Sequence, residues 1–280
     1  MPFLLRGSLE RFLAEDLGRG DATTDAIVPP GARGRGAFVV RTAGVVCGLD
    51  VARELFAVLD PEVDWTADAA EGTLAPAGTT IASVAGDARA LLSAERVVLN
   101  LLQRMCGIAT ATRRYVEAVA GTRCRILDTR KTAPGLRAFD KRAVAAGGGT
   151  NHRFGLDDGI LVKDNHLAVA GSVSEAVARA RRSAPHLLKI EVEVEGEAAL
   201  REALAAGADA LLIDNRSPRE LAPLVTVARS LRPDVPLEAS GGITLENVRA
   251  YAETGVDFVS VGALTHSVAA TDISLELSVA

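Results

Sequence analysis

The chain has 280 residues, 48% hydrophobic and 24% charged, the composition of a globular protein with one large domain or two ordinary ones. Aromatics supply only 4%, so Ala, Val and Leu must build the core. A net charge of −5 with so few aromatics argues against nucleic acid as a partner, and no apolar run reaches the roughly 18 residues of a membrane span. Cys47, Cys106 and Cys124 are odd in number and form no CxxC pair. That disfavours a disulfide framework or a zinc site and points to the reducing cytoplasm.

In chain order, the spacing predicts an amphipathic helix over 8–17, stopped by Gly18 and Gly20. Its early acidic residues are wrong for a signal peptide. Short β-like runs follow at 36–41, 45–47, 63–67 and 79–86, divided by Gly and Pro and interrupted by a helix near 49–59. The faint likeness to a lipoyl-carrier sandwich lacks a lysine at a turn, so this part reads as scaffold. From 88 to about 120 the pattern is helical, with Leu91, Leu92, Val98, Leu99 and Leu102 expected on one side.

From about Gly121 strand and helix alternate. Candidate strands are 125–130, 159–163, 189–195, 210–215, 236–240 and 258–262, with helices such as 173–183, 197–206 and 245–254 between them. Six strands fall short of eight, so an incomplete β/α barrel is expected, with a doubly wound open sheet as the alternative.

The polar residues collect at strand C-terminal ends, where barrel enzymes place their chemistry. The first strand runs into Thr129, Arg130 and Lys131, the second into Lys163, the fourth into Asp214, the fifth into Ser240, Gly241 and Gly242. In the third strand Glu191, Glu193 and Glu195 alternate with apolar residues and share one face. An inward carboxylate there needs a cation, a ligand hydroxyl or Mg²⁺ to meet it. The glycines at 241–242 and Gly262 suit a late-barrel phosphate loop, with Val261 and Ala263 beside the last. Between Arg104 and Lys163 there are 12 Lys/Arg against 5 Asp/Glu, which suits capture of a small anion. Three glycines at 147–149 lead into His152 and Arg153 without a P-loop signature. His152 and His166 do not have the spacing of a metal pair on one helix, so no His-bound metal is expected.

The stretch Thr129-Arg130-Lys131-Thr132-Ala133-Pro134-Gly135-Leu136-Arg137, the run 147–156 and Lys163-Asp164-Asn165-His166 resemble quinolinate phosphoribosyltransferases in order and spacing. The opening Glu15-Asp16-Leu17-Gly18-Arg19-Gly20-Asp21 and the closing Asp272-Ile273-Ser274-Leu275 are similar as well, so the likeness covers nearly the whole chain. It implies an N-terminal α/β sandwich domain over 1–112 completed by the tail 266–280, and a barrel of fewer than eight strands over 113–265. It implies transfer of phosphoribosyl from phosphoribosyl pyrophosphate to quinolinate with decarboxylation, in de novo NAD biosynthesis. The partners implied are these two substrates, with Mg²⁺ carried on substrate and met by Glu193 and Asp214. A homodimer or a hexamer is implied, with Arg104 reaching a neighbouring subunit's site.

The same resemblance assigns Arg130, Lys131, His152, Arg153 and Lys163 to the basic pocket, together with Thr129. It assigns Glu193 and Asp214 to the ribose hydroxyls, and Ser240, Gly241, Gly242, Val261, Gly262 and Ala263 to phosphate. Lys131, Lys163, Glu193 and Asp214 are the expected catalytic set. Other readings are a molybdenum-transport-associated relative using another pyridine carboxylate, a phosphometabolite sensor without turnover, and an aldolase with Lys163 as a Schiff-base lysine.

Overall fold

The computed structural model describes residues 3–279. In chain order its elements are α1 (Phe3–Leu17), α2 (Ala22–Ile27), β1 (Arg33–Val40), β2 (Gly44–Val45), α3 (Leu49–Leu59), β3 (Asp64–Ala67), β4 (Leu74–Ala75), β5 (Thr80–Asp87) and α4 (Ala88–Ala118). They continue with β6 (Arg125–Leu127), α5 (Arg137–Ala146), β7 (Ile160–Val162), α6 (Asp164–Ala170), α7 (Val173–Ser183), β8 (Ile190–Val194) and α8 (Glu197–Ala205). The chain closes with β9 (Ala210–Asp214), α9 (Pro218–Leu231), β10 (Leu237–Ser240), α10 (Val248–Ala252), β11 (Phe258–Ser260), α11 (Ala263–His266) and β12 (Ile273–Val279).

The chain divides into two compact units: residues up to Arg113 with Ala133–Gly148 and the chain from Ser267 on, and Arg114–Thr132 with Gly149–His266. That the stretch 133–148, which holds α5, groups with the first unit is not announced by any composition shift.

In the first unit an antiparallel sheet has the order β12-β1-β5-β3. The period-2 pattern Ile273, Leu275, Leu277 lets the tail pair with β1 across seven positions, from Val40↔Ile273 to Gly34↔Val279. Gly36 sits in that ladder because a Cβ there would lie 2.7 Å from Leu275 and 2.9 Å from Leu277. The few aromatics are spent together: Phe38 and Phe56 are fully buried, and the Trp65 ring lies 5.5 Å from Phe38 and 6.2 Å from Phe56. β4 pairs with β2 in a two-stranded antiparallel ladder, Gly44↔Ala75 and Val45↔Leu74. On α4 the buried side includes Leu91, Val98, Leu99 and Leu102, but Leu92 is 39% exposed. One residue past Leu91 it is turned about 100° around the helix, off the apolar face.

The second unit is a six-stranded parallel sheet in the order β6-β11-β10-β9-β8-β7. Each strand from β7 to β11 neighbours the next in sequence, and β11 returns to pair with β6. That is barrel order, without the switch point of a doubly wound sheet. Only β6 and β7 do not pair with each other, so the α/β barrel is incomplete. Thr150 bridges to Leu127 on the open side of β6 and starts the path toward β7. One face of the sheet is continuous core, with Ile126, Val192, Val194, Leu211, Ile213, Leu237, Ala239 and Val259 buried in register, whereas on the other face Glu191 and Glu193 are half-buried. α7 and α9 begin at Ser172 and Ser217, whose hydroxyls accept from Glu175 N–H and Glu220 N–H.

Candidate functional site

Parallel register brings polar residues of neighbouring strands onto one inward face. Leu161 pairs with Glu191, Glu193 with Leu212, Leu212 with Glu238, and Asp214 with Ser240. At the C-terminal ends of these strands lies a cavity of about 300 Å³. Thr129, Arg130, Lys131, His152, Arg153, Lys163, Asp214, Ser240 and Gly241 all line it, together with Leu161, Leu212, Asn215, Glu238 and Ser260.

The β6 end is held from within. Asp128, fully buried, accepts the His152 N–H at 2.9 Å, tying the 150–153 stretch to β6. Thr129 Oγ1 accepts from Lys131 N–H at 3.0 Å, and Thr265 donates its hydroxyl to the Lys131 carbonyl at 2.8 Å. Gly262 gives the Lys131 stem room: a Cβ there would lie 3.0 Å from its Cδ. The Arg153 guanidinium donates to the Gly159 carbonyl at 2.8 Å. Its pKa is lowered, first by burial and then by the like charge of Arg130. A second guanidinium close enough to disfavour the charge of Arg153 makes the pair a cradle for a dianion.

Lys163 forms an ion pair with Glu193, although Glu193 itself does not line the cavity. The Lys163 N–H is accepted by His166 Nδ1 at 2.9 Å, which caps the start of α6. Asp214 accepts from the Asn215 side-chain amide at 2.5 Å. Asn215 is held at φ 53°, the left-handed region that costs a non-glycine residue, and its N–H donates to the Ser240 carbonyl at 2.9 Å. Its Oδ1 occupies the place a Cβ of residue 241 would need, 2.1 Å away, so Gly241 at φ 95° is obligatory.

The other expected residues are placed differently. The Val261 N–H is committed to the Leu127 carbonyl at 3.0 Å, and Val261, Gly262 and Ala263 do not line the cavity. Gly242 follows Gly241 at φ 63° without lining the cavity. Arg104 belongs to the first unit, where Nε and Nη2 donate to the fully buried Asp140 at 2.7 and 2.8 Å.

One layer below the rim, His152 Nε2 lies 3.3 Å from Glu191 and 3.5 Å from Glu238. The donors of these three residues lie within 4.8 Å of one another, a potential metal-binding cluster that helix spacing alone did not reveal. Its fit to Mg²⁺ is poor. His152 Nδ1 accepts the Arg153 N–H at 2.7 Å, so the neutral ring carries its proton on Nε2, the atom that would have to bind the ion. Glu193 and Asp214 offer only oxygen at the strand ends, the donor type Mg²⁺ takes alongside substrate phosphates. Glu238 is 3% exposed, and burial, then the charge of Glu191, pushes its carboxyl up to about 8.

An incomplete barrel with clustered cations and facing acids at its strand ends defines an anion-binding α/β enzyme scaffold. Family models described as quinolinate phosphoribosyl transferase, N-terminal domain and C-terminal domain, match residues 21–106 and 108–276. The chain belongs to the quinolinate phosphoribosyl transferase family. It is 46% identical over 274 residues to a probable carboxylating nicotinate-nucleotide pyrophosphorylase of Bacillus subtilis, covering 98% of this chain and 93% of the relative. It is also 46% identical over 278 residues to the carboxylating nicotinate-nucleotide pyrophosphorylase of Mycobacterium leprae, covering 97% and 96%. The crystal structure of NadC from Streptococcus pyogenes superposes with a TM-score of 0.93 at 38% identity, covering 100% of this chain and 99% of that one.

Proposed function

We propose that the protein is a carboxylating nicotinate-nucleotide pyrophosphorylase. It transfers the phosphoribosyl group of phosphoribosyl pyrophosphate to quinolinate and releases pyrophosphate and carbon dioxide. The observation that carries this reading is the convergence of Arg130, Lys131, Arg153 and Lys163 in one cavity, in a family member matched along both domains. A dicarboxylate acceptor and a polyphosphate donor are the ligands such a cluster suits.

In this reading Arg130 and Arg153 hold the two carboxylates of the acceptor. Lys131 and Lys163 meet phosphate oxygens, and backbone N–H groups at 240–242 and 262–263 take a terminal phosphate. Glu193 and Asp214 meet the ribose hydroxyls and would hold Mg²⁺, which lowers the charge on the departing pyrophosphate when bound. As the C1–oxygen bond breaks, positive charge grows on the ribose and the two acids stabilise it. The pyridine nitrogen bonds to C1 and becomes cationic. The electrons of the adjacent carbon–carboxylate bond then flow into the ring, carbon dioxide leaves, and the ring carbon takes up a proton. No covalent enzyme intermediate is needed; positioning and charge placement carry the step.

A dimer or hexamer in which Arg104 enters a neighbouring subunit's site belongs to the same proposal, as does a cytoplasmic setting, which suits three free, buried thiols. Among the described residues no helix is long and apolar enough to cross a membrane. The test is turnover with quinolinate, phosphoribosyl pyrophosphate and Mg²⁺, following carbon dioxide and nicotinate mononucleotide, with nicotinate as the parallel acceptor. Product from quinolinate alone supports the assignment. Product from nicotinate alone, or none from either, refutes it.

A further inference from the structure

We propose that Glu238 and Glu191 are positioning residues that use His152 as a strut to set the angle of Arg153 in the cavity. The proposal deepens the reading of the pocket given above and rests on it for its functional consequence.

Glu238 is an improbable residue for its place. It lies between buried Leu237 and Ala239, its register neighbour on β9 is Leu212, and it is 3% exposed. Its Oε1 is buried and has no hydrogen-bond partner. A leucine would fill the position without that desolvation cost. What the carboxyl group gains is a direction: its Oε2 and that of Glu191 converge on the same imidazole nitrogen, at 3.5 and 3.3 Å.

The opposite side of the ring is equally committed. His152 Nδ1 accepts the Arg153 N–H at 2.7 Å, and the His152 N–H is held by Asp128. An imidazole with Nδ1 accepting presents Nε2–H toward the two acids. A ring flip would break the Arg153 bond and turn a carbon toward the carboxylates, so the ring has one favoured orientation. Arg153 is thereby fixed at its backbone nitrogen by His152 and at its guanidinium by the Gly159 carbonyl. In this arrangement His152 acts on the substrate through Arg153, and Glu238 acts through His152.

The experiment compares the full-length wild type with Glu238→Leu and Glu238→Gln. Each is assayed for kcat and for KM toward quinolinate and phosphoribosyl pyrophosphate separately, with thermal unfolding alongside. Glu238→Leu is expected to melt at or above the wild-type temperature. Its KM for quinolinate should rise roughly tenfold to a hundredfold, the scale of a misplaced binding group, while KM for phosphoribosyl pyrophosphate stays put. Glu238→Gln keeps an acceptor oxygen and should recover most of the loss. An unchanged quinolinate KM in Glu238→Leu overturns the proposal, as does an equal rise in both KM values with a lower melting temperature. Should Glu238→Leu fail to fold, the double variant Glu191→Gln with Glu238→Gln is read by the same criteria. A wild type without quinolinate turnover would sink the pocket reading instead. The strut is then judged on ¹⁵N-labelled histidine: an unprotonated His152 Nδ1 supports it, and a protonated one overturns it.

Discussion

The rim of the barrel and the layer beneath it use the same strands for opposite purposes. At the rim, Lys163 pairs with Glu193, Asp214 leans on Asn215, and Arg130 and Arg153 share space despite their like charge. Of these, Arg130, Arg153, Lys163, Asp214 and Asn215 border an open cavity, where partners can be exchanged for a ligand. Below them Glu191 and Glu238 both converge on the His152 ring, whose other nitrogen accepts the Arg153 N–H, so although His152 and Glu238 reach the cavity wall their mutual pairing fixes their geometry. Groups whose partners a ligand can replace are available for binding; groups locked to one another on both sides are available for orientation.

That contrast breaks most sharply on Arg130. Arg130→Ala should lower kcat/KM for quinolinate by roughly tenfold to 150-fold, the worth of a charged hydrogen bond, with a much smaller change in melting temperature. A normal kcat/KM would remove Arg130 from the acceptor site. Next comes the seam between the layers: Gly241→Ala forces a side chain into left-handed backbone and onto Asn215 Oδ1. It should cost about 1–3 kcal/mol in chemical denaturation and raise KM for phosphoribosyl pyrophosphate. A fully stable, fully active variant would show that the Asn215 contact does not constrain the loop.

The buried layer should also announce itself in the pH dependence of stability. With its carboxyl raised from 4.5 to about 8, Glu238 binds its proton more tightly in the folded protein than in the unfolded chain. That contribution is complete below about 4.5 and is lost as pH rises through about 8. Wild-type melting temperature should therefore fall across this window relative to Glu238→Gln, and parallel curves would contradict the assignment. The smallest effect belongs to a fully solvated pair. Arg201→Ala removes the Arg201–Glu197 bridge on α8, whose side chains are 50% and 52% exposed, and should change stability by about 0.5 kcal/mol or less.

Most of the rim was legible in the sequence. An apolar run that ends in Arg-Lys, Lys-Asp or Asp-Asn marks both a parallel strand and the end that borders the cavity, and the motifs at Thr129, Lys163 and Asp214 line it. The layer beneath was half legible. Alternation exposed Glu191 and Glu193 as inward-facing, but the same rule applied to Leu237-Glu238-Ala239 would have found a second buried acid. Asp128 is illegible for a different reason: it accepts the backbone N–H of His152, and no side-chain pattern encodes that. Helices α5 and α6 are hard to read from sequence because Gly, Pro or charged residues at their borders resemble loops, whereas the start of α9, Ser217-Pro218 with Glu220, is a legible capping box. Arg104 illustrates a limit of local reading, since its bidentate partner Asp140 lies 36 residues away.

The pairing of β12 with β1 also has a temporal side. Arg41 and Ser274 meet across a gap of 233 residues, so the first sheet cannot be completed until almost the whole of that span has left the ribosome. The barrel strands, whose partners are mostly successive in sequence, can assemble as they emerge. During translation the N-terminal residues therefore wait, with the outer edge of β1 unpaired, for a strand made long after them. A chaperone that shields extended edges would act on this chain at its beginning, and the interval it must cover is set by the time taken to translate the barrel.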